Sequence, residues 1–262
     1  MDHQLEPVLW LALSFVLYAL ATNVTWYYRQ PRPGRVGRLV EAIRNWPYRD
    51  GPLQALRLLY YLGLPYLALL KGVINPRSMG LSDLDWLRGA GLGVALGGGA
   101  FLLLALTWWY YAHSTHLLYP QADPLSSHLT TLNRPWGWAL LLLDVIYLEV
   151  HWAFYRSGPI QVLADLYSGV FLGLALAFLE AYSSPHLRRG LRQPEQAGGI
   201  LLTGSLALVV ALIYLFTHNL WLCVLSHLGI EVGLLRLWGV LYGSREGNNG
   251  NIRSPKSGLQ SS

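Results

Sequence analysis

Residues 200–217, ILLTGSLALVVALIYLFT, contain no charged side chain and are apolar almost throughout. A helix rises 1.5 Å per residue, so about 20 such residues cross a hydrocarbon core about 30 Å thick. Together with this block, which begins near residue 198, similar apolar blocks lie at 7–28, 56–75, 89–112, 136–156, 160–182 and 219–240. The sequence therefore predicts an all-α polytopic membrane helix bundle with about seven transmembrane helices.

The composition favours a membrane protein over a soluble one. The 262 residues are 53% hydrophobic and 13% charged, whereas a soluble domain is about 25% charged. Many of the 11 Trp and 16 Tyr residues stand at block ends, as in the aromatic belts of membrane proteins. Cys223 is the single cysteine, which excludes an intrachain disulfide. The predicted partner is the lipid bilayer.

The basic residues predict the orientation in the membrane. Cytoplasmic loops carry an excess of Lys and Arg, and counting crossings places the basic residues after block five and in the C-terminal tail on the same side as the first loop. We therefore expect a multi-pass protein of the cell membrane with the N-terminus outside and the C-terminus cytoplasmic. Because the arginines do not line a soluble face, nucleic acid is not an expected partner. The first loop, with its two flanks, carries Arg29, Arg32, Arg35, Arg38, Arg44, Arg49 and Arg57.

The chain divides into three predicted segments. Residues 1–78 form N-terminal membrane helices with a basic cytoplasmic loop, 79–243 form the intramembrane core, and 244–262 form a disordered tail rich in Gly, Asn and Ser. Within the basic loop, residues 35–46 have the amphipathic spacing of a helix lying on the membrane surface.

A further loop, predicted at 113–134, contains three histidines, His113, His116 and His128. Their spacings match no tight metal-ligand pattern, so we interpret them as solvated or interfacial.

The fourth apolar block contains ionisable residues at membrane depth, which cost several kcal/mol unless they are paired or wet and are therefore functional candidates. In the stretch LLLDVIYLEVHWAFYRSG, Glu149 and Arg156 share one helical face, while His151 points about 200° away from Glu149. One hypothesis gives these side chains a chemical role. The alternative is a structural pair of Glu149 with Arg156.

The seventh block places His227 and Glu231 four residues apart, on one helical face. Such a pair can hold a divalent metal, or the carboxylate can fix the tautomer of a histidine that handles a water. A structural ion pair of Glu231 with Arg236 is the alternative. Asp165 and Glu180 of the fifth block could join either set.

Three short stretches resemble motifs of one protein family. The turn of residues 217–221, THNLW, followed by His227 and Glu231, resembles the third motif of the CPBP family, which comprises CAAX prenyl proteases and bacteriocin-processing or Abi proteins. The stretch HWAFYR at 151–156 resembles the first motif, EExxxR, with the arginine kept and both glutamates replaced. The nearest candidate for the second motif, FxxxH, is 182–186, ending at His186. The resemblance covers about residues 79–240.

The resemblance implies a divergent intramembrane metal-dependent endopeptidase that acts on a membrane-associated peptide or protein. It implies zinc or another divalent metal as cofactor. Glu149 would then replace the lost carboxylates as the base, since it lies on the helical face of the retained arginine. The implied catalytic residues are Glu149, His151, Arg156, His227 and Glu231, of which the implied metal ligands are His151, His227 and Glu231.

Two other functions stay open. Loss of the glutamate pair also suits a catalytically inactive binding or immunity protein on the same fold. A small transporter or lipid-binding channel is disfavoured, because the sequence has no paired broken helices or repeated halves. Since charges facing lipid are costly, we expect the fourth and seventh helices to touch, with Glu149 within about 10 Å of His227.

Overall fold

A computed structural model of the chain describes residues 5–30, 37, 38, 41, 50–118 and 135–250, and these residues contain no β-strand. A π-helical turn, Leu59–Gly63, joins the helix Asp50–Leu58 to the helix Leu64–Leu70 in one continuous span. The helices are α1 Leu5–Arg29, α2 Asp50–Leu58, α3 Leu64–Leu70, α4 Pro76–Met79, α5 Trp86–Leu118, α6 Gly137–Leu163, α7 Leu166–Ser183, α8 Pro185–Gly190, α9 Pro194–Thr217 and α10 Leu220–Gly250.

Seven helical stretches of the described residues are long and apolar enough to cross a membrane, which confirms the predicted all-α polytopic bundle. Large apolar side chains face outward along them; Leu87, for example, is 94% exposed and Val94 is 76% exposed. A lipid-facing surface explains this pattern, because no water needs to be excluded from it. The stretches are Leu5–Arg29, Gly51–Leu70, Trp86–Tyr111, Gly137–Leu163, Leu166–Ser183, Gln196–Thr217 and Leu220–Gly239.

The second span begins and ends about five residues before its predicted limits of 56 and 75. It includes Arg57, whose Nη1 lies 2.9 Å from Oδ1 of Asp144 on α6. The Arg57 guanidinium also lies over the ring of Tyr147, 5.3 Å from its centroid. The span ends early because Gly72 adopts a left-handed conformation, with φ at 71°, which ends a helix.

Helix α5 continues to Leu118, so His113 and His116 belong to a helix and not to the predicted loop at 113–134. The His113 ring stacks on Trp109, with ring centroids 6.3 Å apart. His128 lies outside the described residues.

The predicted surface helix at 35–46 lies outside the described residues except for positions 37, 38 and 41. Helix α10 extends to Gly250, into the segment whose composition predicts disorder. Residues 251–262 lie outside the described part.

Helix α6 lies at the centre of the bundle and packs against α1, α4, α7 and α10. Two glycines of α7 bring its backbone close to α6. A Cβ atom at Gly173 would lie 2.4 Å from Cα of Arg156, and one at Gly169 would lie 2.6 Å from Cα of Ile160. Small residues allow this kind of close helix approach in membranes. The contact fixes the position of α6, which carries most of the candidate site residues.

Candidate functional site

A buried contact between Glu149 and His227 joins α6 to α10. Oε1 of Glu149 lies 2.7 Å from Nδ1 of His227, and the two residues are 0% and 1% exposed. The prediction that the fourth and seventh spans touch is therefore confirmed. Helix α6 ends at Leu163 and not at 156, the predicted end of the fourth block, so Glu149 lies in the middle of its helix.

The imidazole of His227 stands between two carboxylates. Nε2 of His227 lies 3.7 Å from Oε2 of Glu231, one turn further along α10. An ionised Glu149 can only accept a hydrogen bond, so Nδ1 of His227 carries the proton. The lone pair of Nε2 then faces Glu231. Nε2 is therefore the nitrogen of His227 that can act as a base or bind a metal.

Trp152 fixes the plane of that imidazole. Its ring is parallel to the His227 ring within 5°, with centroids 5.6 Å apart. Trp152 lies on α6 almost one turn after Glu149, so both hold His227 from the same helix. We call Glu149, Trp152, His227 and Glu231 the α6–α10 cluster.

Arg156 is buried beside this cluster, with its Cζ 4.2 Å from the centroid of the Tyr214 ring. Its Nε and Nη2 atoms have no hydrogen-bond partner in the described part of the chain. The ion pair of Glu149 with Arg156, weighed as a structural alternative, is not among the ion pairs formed there. Two buried guanidinium donors therefore remain for another group.

A narrow cleft between α6, α7 and α9 receives Arg156. Trp152 lines this cleft on one side and stacks on His227, so it is a shared wall between the cleft and the α6–α10 cluster. The opposite walls carry four small residues together with Val170 and Leu174, and they leave a space of about 10 Å³, roughly that of one water. These small residues are Gly173, Ala177, Ala207 and Ala211.

His151 makes its contact with α7. Its Nε2 lies 2.8 Å from Oε2 of Glu180, and the Tyr60 and Tyr155 hydroxyls both donate to Oε1 of the same carboxylate. The structure thus joins Glu180 to His151, on the side of α6 that the helical angle predicts. We call Tyr60, His151, Tyr155 and Glu180 the Glu180 cluster.

Sequence reasoning missed the tyrosines of both neighbourhoods. Tyr60 reaches Glu180 from the π-helical turn, and it also bonds to Ser14 of α1, at 3.1 Å between the two hydroxyl oxygens. Tyr155 lies one turn from His151, on the same face of α6, and this spacing was a signal in the sequence. Tyr214 had no such signal, because it reaches Arg156 from α9.

Two other candidates lie at the surface. Asp165 is the N-cap of α7: its Oδ2 accepts from the Ser168 amide at 2.7 Å. Hydrogen bonds from the Ser168 side chain and backbone lower the pKa of this exposed carboxyl. His186, the candidate for a second motif, is exposed and hydrogen-bonded to Arg29. Arg236, the alternative partner of Glu231, is also exposed.

The THNLW turn positions His227. His218 adopts a left-handed conformation with φ at 48°, which ends α9. Asn219 then caps α10, since its Oδ1 accepts from the amides of Trp221 and Leu222 at 2.9 and 3.3 Å. Helix α10 therefore starts at a fixed residue and carries His227 two turns into the bundle.

The α6–α10 cluster has the donor chemistry of a partial metal site. Two ligands about 2.1 Å from a tetrahedral metal are about 3.4 Å apart, and Nε2 of His227 is 3.7 Å from Glu231. The bond of Glu149 to Nδ1 is the usual outer support of a ligating histidine. No group of three or more His, Cys, Asp and Glu residues able to hold a metal occurs in the described residues. His227 and Glu231 therefore fit as metal ligands. His151, the third implied ligand, contacts Glu180 instead.

Comparison with known proteins does not assign the chain to a family. No family model, no curated protein and no solved structure matches it. The function is therefore argued from the residues and their contacts.

Proposed function

We propose that this chain is a hydrolase that cleaves peptide bonds within the membrane, a divergent metal-dependent endopeptidase of the CPBP type. The observation that carries the proposal is the buried imidazole of His227, fixed at Nδ1 by Glu149 and facing Glu231 with Nε2. A buried charged network is costly at membrane depth, so such residues are retained where they serve a function.

The residues of the cluster have separate roles. Nε2 of His227 takes a proton from water, and Glu149 stabilises the imidazolium that results. The unpartnered Nε and Nη2 of Arg156 donate to the carbonyl oxygen of the substrate as it gains negative charge. Trp152 holds the imidazole in place between the cluster and the cleft.

A divalent metal, zinc or another, would be held by Nε2 of His227 and by Glu231, where it would supply Lewis acidity toward a carbonyl or a water. Proton transfer and metal binding use the same lone pair, on Nε2 of His227. His227 therefore acts as the base when no metal is bound to it and as a ligand when one is. Glu149 supports both, because its hydrogen bond fixes the tautomer and the orientation of the imidazole.

Glu231→Gln is the variant that tests the metal. It keeps volume and hydrogen bonding but removes the charge of a direct ligand. We therefore expect metal affinity to fall by at least the roughly 10- to 100-fold that loss of an outer partner costs, with stability kept. Zinc and manganese content of the purified protein would be measured beside cleavage of a quenched fluorescent single-span peptide. Asp165→Asn is the control, since it removes an exposed carboxylate and still caps its helix.

A non-catalytic binding or immunity protein is the second candidate. It is favoured by the presence of only two suitable metal ligands in the α6–α10 cluster, in the part of the chain that the structure describes. If wild type and Glu231→Gln are equally stable, contain no metal and cleave no reporter, this function replaces the hydrolase.

We also propose that the protein lies in the cell membrane with its N-terminus outside and its C-terminus in the cytoplasm. Trp26 of α1 packs edge-to-face on His186 of α8, so Arg29 and the arginines of α8 share one end of the bundle. Basic residues favour the cytoplasmic side.

Reporter fusions test this orientation. Fusions after residues 34 and 250 should both report cytoplasm, because an even number of spans separates these positions, and a fusion after residue 80 should report the outside. A split result between 34 and 250 would contradict the count of seven, whereas three inverted results would reverse the orientation.

A further inference from the structure

Three exposed arginines line one pocket at the end of the bundle where α1 and α7 terminate. Arg188, Arg189 and Arg192 border this pocket of about 600 Å³ together with Tyr182 and Pro185. Helix α8 carries the first two arginines and connects α7 to α9. The pocket shares no residue with the α6–α10 cluster, so its function is a separate question.

Aromatic rings hold the guanidinium groups of this pocket. Cζ of Arg188 lies 5.8 Å from the centroid of the Tyr182 ring, and Cζ of Arg189 lies 5.6 Å from that of Trp26. Among the described residues, no carboxylate forms an ion pair with Arg188, Arg189 or Arg192. Stacking on a ring leaves the N–H edge of a guanidinium available to an anion.

Arg29 adds positive charge beside the pocket. Its Nη1 lies 2.7 Å from Nε2 of His186, two residues before Arg188 in sequence. A guanidinium can only donate, so Nε2 of His186 accepts this hydrogen bond. The chain after Arg29 continues with Arg32 and Arg35. Like charges gathered in this way repel one another, and a bound anion relieves the repulsion.

The position of the pocket selects the kind of anion. Helices α1 and α7 are membrane spans that end at Arg29 and Ser183, so the pocket lies where the chain leaves the hydrocarbon. Trp26 and Tyr182 are residue types that sit at the level of lipid headgroups. Two N–H groups on one edge of the planar guanidinium can donate to two oxygens of the same phosphate.

We propose that this pocket binds the phosphate of an anionic phospholipid headgroup. Arg188 and Arg189 of α8 donate hydrogen bonds to the phosphate. Trp26 and Tyr182 flank the glycerol and the upper part of the acyl chains. The site does not depend on the hydrolytic function or on which side of the membrane faces the cytoplasm.

The test uses the full-length protein in vesicles of phosphatidylcholine, with or without phosphatidylglycerol. Phosphatidylglycerol should raise the Tm of the wild type, and the double variant Arg188→Gln/Arg189→Gln should lose this rise. Native mass spectrometry in detergent should show phosphatidylglycerol binding roughly 10- to 100-fold weaker in the variant, as expected for lost hydrogen bonds to a charged group. Arg188→Lys/Arg189→Lys keeps the charge but loses the fork, so it should retain only part of the rise.

The matched control is Arg77→Gln/Arg88→Gln, which removes two positive charges at the other end of the bundle and should keep the full rise. An equal loss in this control would reduce the effect to general surface charge and overturn the proposal.

Inorganic phosphate is a second arm: if it alone reproduces the Tm rise, the site takes a free anion and not a lipid. Equal Tm in both vesicle types would also overturn the proposal. If the Arg188→Gln/Arg189→Gln protein does not fold, the Arg188→Lys/Arg189→Lys protein serves as the test. A full rise in Tm with that variant would contradict bidentate binding of the phosphate.

Discussion

Glu149→Gln is expected to lower the hydrolysis rate by about 10²- to 10⁴-fold, the usual contribution of acid–base catalysis. The amide nearly matches the volume of the carboxylate and can still contact Nδ1 of His227, at the position where Glu149 Oε1 now lies 2.7 Å away. It carries no charge, however, and so cannot stabilise an imidazolium. It can also donate to Nδ1, which permits the tautomer that has its proton on Nε2.

The measurement compares cleavage of the single-span reporter peptide with thermal unfolding of the same preparations. Asp165→Asn again serves as control, because it removes an exposed carboxylate that lies outside both clusters. A Glu149→Gln protein that unfolds like wild type and cleaves at the wild-type rate would remove His227 from the role of base. A protein that no longer folds would be replaced by His227→Gln, which removes the imidazole instead.

Glu180→Leu is expected to cost about 3–5 kcal/mol of stability, the range for breaking a buried charged pair. Its carboxylate accepts from His151 and from the hydroxyls of Tyr60 and Tyr155. Leucine fills similar space but leaves the donors of His151 and Tyr155 buried without an acceptor, whereas the Tyr60 hydroxyl keeps the backbone oxygen of Ser14 at 3.2 Å. Glu180→Gln retains one oxygen acceptor and should cost less.

Unfolding in mixed micelles of a mild detergent and SDS would measure this loss. Tyr182→Phe is the control on the same helix, since Tyr182 is 57% exposed and belongs to neither cluster. If Glu180→Leu unfolds like wild type but abolishes cleavage, the Glu180 cluster belongs to the chemistry and not to the support of the bundle.

The sequence could predict the bundle because long apolar blocks have only one stable arrangement in lipid. It could also predict contact between α6 and α10, since Glu149 and His227 both need a polar partner at membrane depth. The start of the second span could not be predicted, because the cost of Arg57 is offset by Asp144, which is remote in sequence. A local hydropathy window does not include that partner.

The candidate site could be predicted only in part, for a related reason. Spacing along one helix gives the angle between Glu149 and His151 but not the helix that each one meets. The sequence therefore could not assign Glu180 to the polar residues of the fourth block or to those of the seventh. The packing of α7 against α6 decides this. Tyr60 depends on a π-helical turn, which changes the facing of a side chain and has no clear sequence signal.

The polar partners of α6 are made at different times during synthesis of the chain. Asp144 meets a residue already made, Arg57 of α2, whereas Glu149 and His151 meet His227 and Glu180, which emerge later. When α6 leaves the ribosome it therefore has counter-charges for only one of these side chains. Its mean hydropathy is 1.4, against 2.4 for the span in α9. We therefore expect α6 to become stable in the bilayer only after the C-terminal helices are made, and a nascent chain stalled before α10 would hold Glu149 without its imidazole partner.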